Sequence, residues 1–237
     1  NNYDDIRQMS LELLLIAFQT TESQNLLELV DTDRLRQKGL QLLTLYKGGE
    51  GGANVLGFLF EISSEKGQFV QNLLNILKEY VTSAELDLIG TVEKPVSGVF
   101  AALSSVLVKY DFKECEETYQ IVENCIELIS ANWKTVQDVL CYDSPDGNLP
   151  VSYLDCGVSD QLITSYAFRS IKESSDLLST LMSRAPLSKD QLAECGKLLM
   201  FQLSNIRHSG AFQSVFPCFV SCCARCNRDI PEELEVW

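Results

Sequence analysis

Apolar residues recur along this chain at intervals of three and four, the spacing that gathers them on one side of an α-helix. The pattern predicts helices over about 3–19, 22–46 (one broken helix or two), 53–64, 67–81, 84–89, 94–110, 113–130 and 132–142. The clearest stripe lies in 160–183. There Ile163, Ala167, Ser170, Ile171, Ser174, Leu178 and Leu181 share one face, and Arg169, Lys172, Glu173 and Asp176 fall on the opposite one. Further helices are expected from Ser188 to about 206 and over 211–227, with Pro217 near the start of the latter or kinking it; another opens at Pro231. Thr82-Ser83-Ala84-Glu85 and Ser188-Lys189-Asp190-Gln191 each fit a capping box: a hydroxyl for the exposed amides and a Glu or Gln three residues on. No alternating Val/Ile/Thr-rich stretch demands a strand.

Three interruptions punctuate the pattern. Lys47-Gly48-Gly49-Glu50-Gly51-Gly52 reads as a flexible break. Asp143 to Gly157 is the longest irregular stretch, and within it two prolines and a glycine in Ser144-Pro145-Asp146-Gly147-Asn148-Leu149-Pro150 stop helix propagation. A loop of that length between helices is more often functional than accidental. Arg207-His208-Ser209-Gly210 reads as a helix C-terminal turn, with cations near the last carbonyls and a glycine to leave by. The fold class is therefore all-α. Helical hairpins every 35–45 residues or so, without a clean sequence repeat, suggest an irregular α-solenoid of HEAT/armadillo-like hairpins. One continuous solenoid would comprise an acidic helical-repeat segment (1–142), a structured loop (143–158) and C-terminal hairpins (159–237).

Composition narrows the function classes. Hydrophobic residues are 46% of the chain, enough for a core, yet no apolar run approaches the roughly 18 residues that argue a membrane span. No signal peptide is visible, and Asn1 opens directly onto a helical pattern, as in a piece of a longer chain or a processed product. The net charge of −14 is unevenly placed: residues 1–158 hold 11 Lys and Arg against 24 Asp and Glu, whereas residues 159–237 hold 8 against 9. The acidic part repels phosphate backbones and suits basic protein partners; a basic contact surface would have to lie in the last third or elsewhere in the parent protein. Nine cysteines, odd in number and irregular in spacing, sit mostly on apolar helical faces, which points to a reducing compartment, cytosol or nucleus; a cytoplasmic protein is expected.

Candidate chemistry is sparse. Cys218, Cys222 and Cys226 share a face at i, i+4, i+8, with Cys223 beside them, but structural zinc takes ligands from two elements; they read as small buried residues, and no metal is expected. His208 is the single histidine. There is no Gly-x-Ser-x-Gly elbow, no phosphate loop and no dinucleotide fingerprint, and the glycine run lacks a preceding strand. No catalytic residue and no cofactor are assigned. The charged stripe reads first as self-paired surface charge, Arg169 with Glu173 and Lys172 with Asp176. Tyr166 and Phe168 read as packing residues between hairpins.

Taken in order, the Ser144–Pro150 loop, Tyr166-Ala167-Phe168-Arg169-Ser170-Ile171-Lys172-Glu173-Ser174-Ser175 and Arg207-His208-Ser209-Gly210-Ala211-Phe212 resemble three motifs of the central domain of the THADA family. These motifs are a Ser-Pro-Glu-Gly-x-Leu-Pro loop, an aromatic-Arg-x-x-Lys-Glu-x-Ser helix and a Lys-His-x-Gly-Ala turn. The match covers roughly 140–230. Asp146 replaces the usual Glu, Phe168 stands where Trp is common and Arg207 where Lys is frequent, and the Arg-Arg-Ser-Ala-Gly-Leu-Pro segment that follows this domain in the family does not occur here.

The resemblance implies a long HEAT-like solenoid. It also implies a non-catalytic partner of an FtsJ-type tRNA methyltransferase that methylates ribose 2′-oxygens in the anticodon loop. The partner would carry the S-adenosylmethionine chemistry, and the solenoid would position enzyme and tRNA. It marks Arg169, Lys172, Glu173, Arg207, His208 and Gly210, with loop residues Ser144, Pro145, Asp146, Gly147, Leu149 and Pro150, as contacts to a partner or tRNA, or as anchors between hairpins. The competing expectation is a general protein-interaction solenoid unrelated to tRNA.

Overall fold

Side-chain caps and buried stripes set the helix boundaries. The computed structural model describes residues 2–20, 30–46, 49–113, 115–142, 149–153 and 156–234. Among them the elements are α1 (Asn2–Thr20), α2 (Thr32–Leu43), α3 (Gly49–Ile62), α4 (Lys66–Leu86), α5 (Leu88–Thr91), α6 (Ser97–Leu107), α7 (Glu116–Leu140), a 3₁₀ turn (Val151–Tyr153), α8 (Asp160–Arg184), α9 (Lys189–Asn205), α10 (Ser209–Asp229) and α11 (Pro231–Leu234). No strand occurs among the described residues. Asp31 accepts from the Arg34 amide at 2.9 Å to start α2, and Ser159 accepts from Leu162 at 3.3 Å to start α8. The capping box at Ser188–Gln191 forms in both directions, at 3.1 and 3.0 Å.

The helices pack as pairs, α2 with α3, α4 with α6, α7 with α8 and α9 with α10. The second members, α3, α6, α8 and α10, lie against one another in that order, and α4 packs beside α7. This arrangement makes α8 a hub, in contact with α6, α7 and α10. All seven residues of its expected apolar stripe are buried. Ser170 and Ser174 survive there because each hydroxyl donates to a carbonyl one turn back, Ala167 and Ile171. Ser174 also accepts from Asn132 of α7 at 3.3 Å, and Thr180 pairs with Ser104 of α6 at 3.1 Å.

Several sequence expectations are corrected. Thr82–Glu85 lies inside α4, because Leu77, Val81 and Ala84 continue the buried face past the would-be cap; the real boundary is Asp87, whose carboxylate accepts from the Gly90 amide at 2.9 Å. The two helices expected over 113–142 are one, since Ile129, Trp133 and Val136 carry a single stripe through Asn132. The glycine run is no flexible break from Gly49 onward: it forms the first turn of α3, while Lys47 and Gly48 lie outside the described residues. A methyl carbon on Gly52 would stand 2.7 Å from the Gly39 carbonyl oxygen, and one on Gly98 would overlap the Leu43 carbonyl. These glycines let the backbones of α2, α3 and α6 cross at close quarters. Within 22–46, α2 is observed and 21–29 lie outside the described residues.

Candidate functional site

The residues singled out by the sequence fall into two groups on and around α8. The first is its charged stripe. Lys172 Nζ lies 2.6 Å from Glu173 and 3.4 Å from Asp176. Arg169 does not pair with Glu173 as expected: its Nη1 donates to the Tyr46 carbonyl at 2.7 Å and its guanidinium stands 5.5 Å from the centre of the Tyr46 ring. Tyr46 in turn donates its hydroxyl to the Val92 carbonyl. One arginine on α8 thus fastens the turn between α2 and α3, itself fastened to the turn before α6. Sequence reasoning did not foresee Tyr46, 123 residues away; its one signal is an aromatic standing just before the glycine run.

Beside this latch a cleft of about 270 Å³ opens between the first turns of α3 and α6, lined by Tyr46, Gly49, Glu50, Gly98, Arg169 and Glu173, among others. Burial raises the Glu173 pKa above the ordinary carboxylate value in spite of its bond to Lys172, and Glu50 adds to the rise. Burial opposes the Lys172 ammonium, but Glu173 and Asp176 outweigh it and its pKa is raised. Burial also pushes the Tyr46 phenol up to about 12. Burial thus disfavours charge on both members of the Lys172–Glu173 pair; the pairing outweighs it at Lys172 and only partly offsets it at Glu173.

The second group joins α8 to the start of α10. The amides of Arg207 and His208 both donate to the Leu140 carbonyl, at 2.9 and 3.2 Å, closing the end of α7. His208 is the N-cap of α10, its Nδ1 accepting from the Ala211 amide at 3.1 Å. The turn expected to end a helix therefore begins one, and Gly210 lies in the first turn of α10. The ring of Phe168 stacks on His208 with centroids 5.2 Å apart and planes at 30°. A methyl carbon on Gly210 would meet the Phe168 ring at 3.0 Å, so glycine is the residue that fits under it. Burial lowers the His208 pKa, keeping the ring neutral and able to accept. Arg207 presents its side chain to solvent, Leu149 is buried in the core and Pro150 half-buried. Ser144, Pro145, Asp146 and Gly147 lie outside the described residues.

Three cysteines of α10 lie on its inner side. Cys218, Cys222 and Cys226 are buried, with Cys222 and Cys226 sulfurs 3.9 Å apart, and burial pushes the Cys218 thiol up to about 12. Among the described residues no group of three or more His, Cys, Asp or Glu is placed to hold a metal, and no helix is long and apolar enough to cross a membrane.

The family described as THADA/TRM732, DUF2428, matches residues 120–235. The chain is also 34% identical, over 269 aligned residues and 99% of its length, to the tRNA (32-2'-O)-methyltransferase regulator trm732 of Schizosaccharomyces pombe. The chain belongs to the THADA family. The family segment takes in α8, the Phe168–His208 stack, Arg207 and Gly210, whereas Tyr46 and the glycine run precede it. The chain spans 17% of that THADA relative. The relative is named for regulating a tRNA methyltransferase, not as the enzyme. No solved structure matches the chain.

Proposed function

We propose that the protein carrying this chain is the non-catalytic subunit of a tRNA ribose 2′-O-methyltransferase, positioning an FtsJ-type catalytic subunit and the anticodon loop of tRNA. The observation that carries the reading is the likeness along nearly the whole chain to a protein named as the regulator of such an enzyme. The side-chain chemistry supports it. His208 is engaged as a cap, Arg169 as a latch and Lys172 with Glu173 as an ion pair, so the described parts of the family motifs hold helices in place. The serial packing of paired helices supports a HEAT-like solenoid, a shape that offers long surfaces for large partners. The catalytic partner would hold S-adenosylmethionine, and the buried thiols fit a cytoplasmic setting.

The test is ribose methylation in the anticodon loop, measured on tRNA from cells lacking the protein and from cells carrying Arg207→Glu. The deletion is expected to abolish the modification and the substitution to lower it several-fold, with an unchanged melting temperature for Arg207→Glu. Normal methylation in the deletion strain would sink the proposal.

A further inference from the structure

The cleft beside the Arg169–Tyr46 latch lies within the row, where α3, α6 and α8 follow one another, and it holds donors that the fold leaves without acceptors. Ser97, the first residue of α6, lines it and is only 9% exposed, yet its hydroxyl has no hydrogen-bond partner among the described residues. The Ser97 and Gly98 amides, in the first turn of α6, have no carbonyl partner there either. Arg169 commits Nη1 to the Tyr46 carbonyl, and its Nε and Nη2 have no acceptor among the described residues. Bare backbone lies between these groups: a methyl carbon on Gly49 would stand 3.4 Å from the Gly98 Cα. One turn along α8 from Arg169, Glu173 gives Oε1 to Lys172 at 2.6 Å, while its Oε2 has no partner among the described residues. A buried hydroxyl left unpaired is costly, so Ser97 points to a partner that arrives from solution.

We infer that this cleft binds a small sugar phosphate, its phosphate held by Arg169, the Ser97 hydroxyl and the first turn of α6, and a sugar hydroxyl donating to Glu173. The inference stands without the subunit reading, since it rests on the chemistry of the cleft alone. A helix N-terminus beside a guanidinium and a hydroxyl suits a tetrahedral oxyanion, because each phosphate oxygen finds a donor. A bare phosphate would leave Glu173 and Glu50, which also lines the cleft, facing a like charge. A hydroxyl beside the phosphate turns that repulsion at Glu173 into a hydrogen bond. Size and charge favour a small molecule over a nucleic acid. The cleft, about 270 Å³, falls below the roughly 300–1,000 Å³ of sites for drug-sized ligands. Residues 1–158, with 24 Asp and Glu against 11 Lys and Arg, oppose a long phosphate backbone.

The experiment titrates ribose 5-phosphate, inorganic phosphate, ribose and an anticodon stem-loop RNA separately into the full-length protein, read by calorimetry and by amide hydrogen exchange. Ribose 5-phosphate is expected to bind saturably, about tenfold more tightly than inorganic phosphate, and to slow exchange at Ser97 and Gly98; ribose is expected to do neither. Ser97→Ala removes a hydroxyl that no described residue holds, so the variant is expected to keep the wild-type melting temperature and to bind ribose 5-phosphate about tenfold more weakly. The exchange result needs no variant and decides the matter if Ser97→Ala fails to fold. Absence of saturable binding, equal affinity for inorganic phosphate, or undiminished binding by a folded Ser97→Ala each overturns the inference. Slowed exchange at Ser97 and Gly98 with the RNA and not with ribose 5-phosphate overturns it as well. None of these outcomes bears on the methylation test above.

Discussion

Arg169 and Tyr46 meet twice: the guanidinium of one donates to the carbonyl of the other at 2.7 Å and covers its ring at 5.5 Å. The bond is charge-assisted, but the arginine is exposed and screened, so the contact is worth about 1 kcal/mol. Arg169→Ala is expected to lower stability by about that amount and to speed hydrogen exchange around Tyr46 and Gly49. Lysine reaches as a point charge without the flat face, so Arg169→Lys is expected to recover part of the stability at most. Thermal melting with exchange mass spectrometry checks both.

Three glycines of the α2–α3–α6 crossing should respond in opposite directions to the same substitution. Gly98→Ala and Gly52→Ala push a methyl carbon into backbone carbonyls that cannot move aside, and each is expected to cost about 1–3 kcal/mol. Gly51 has nothing within 4 Å of the corresponding position, so Gly51→Ala in the same helix is expected to stabilise by about 0.5–1 kcal/mol. Chemical denaturation of the three variants decides it.

His208 makes stability depend on pH. Its folded pKa lies below the ordinary 6.5, so protonation favours the unfolded chain. The stabilisation from the neutral, capping ring is intact above pH 6.5 and declines as the pH falls through the folded pKa. His208→Asn keeps a capping oxygen and is expected to flatten this dependence, while His208→Ala is expected to cost about 1 kcal/mol at neutral pH. Melting curves between pH 5 and 8 provide the measure.

Thiol reactivity should separate the cysteines. Cys115 is exposed, and hydrogen bonds from the Thr118 side chain and backbone lower its pKa. Cys125, Cys195 and Cys218 are buried with thiols pushed up to about 12. An alkylating reagent at neutral pH is expected to label Cys115 first and to reach those three only on unfolding, as peptide mapping would record.

How far the sequence speaks for the structure depends on the range of the interaction. Periodicity located the helices and, in α8, a stripe that is buried throughout, because burial on one side is a local pattern; it missed Ser175, Leu177, Thr180 and Met182, which are buried as well because α6, α7 and α10 surround this helix. The Ser188 box was legible for the same reason. Thr82–Glu85 shows the limit: a cap signal is weak beside a buried stripe that continues through it. The glycine run was misread because glycine serves flexibility and close approach alike, and only the positions of Gly39 and Leu43 on another helix distinguish them. For the charged stripe, the i, i+4 rule supplied Lys172–Asp176 but gave Arg169 to Glu173, when its partner is the carbonyl of a residue far along the chain. His208 was recognised as part of a turn, yet which helix that turn served was settled by the Leu140 carbonyl, which no local pattern reveals.

That carbonyl receives both the Arg207 and the His208 amide, so the last turn of α7 and the first turn of α10 share a single peptide group as their rivet. Strain applied to either helix is felt by the other without passing through the hydrophobic interior. A load placed on α10 therefore reaches the C-terminal turn of α7 directly.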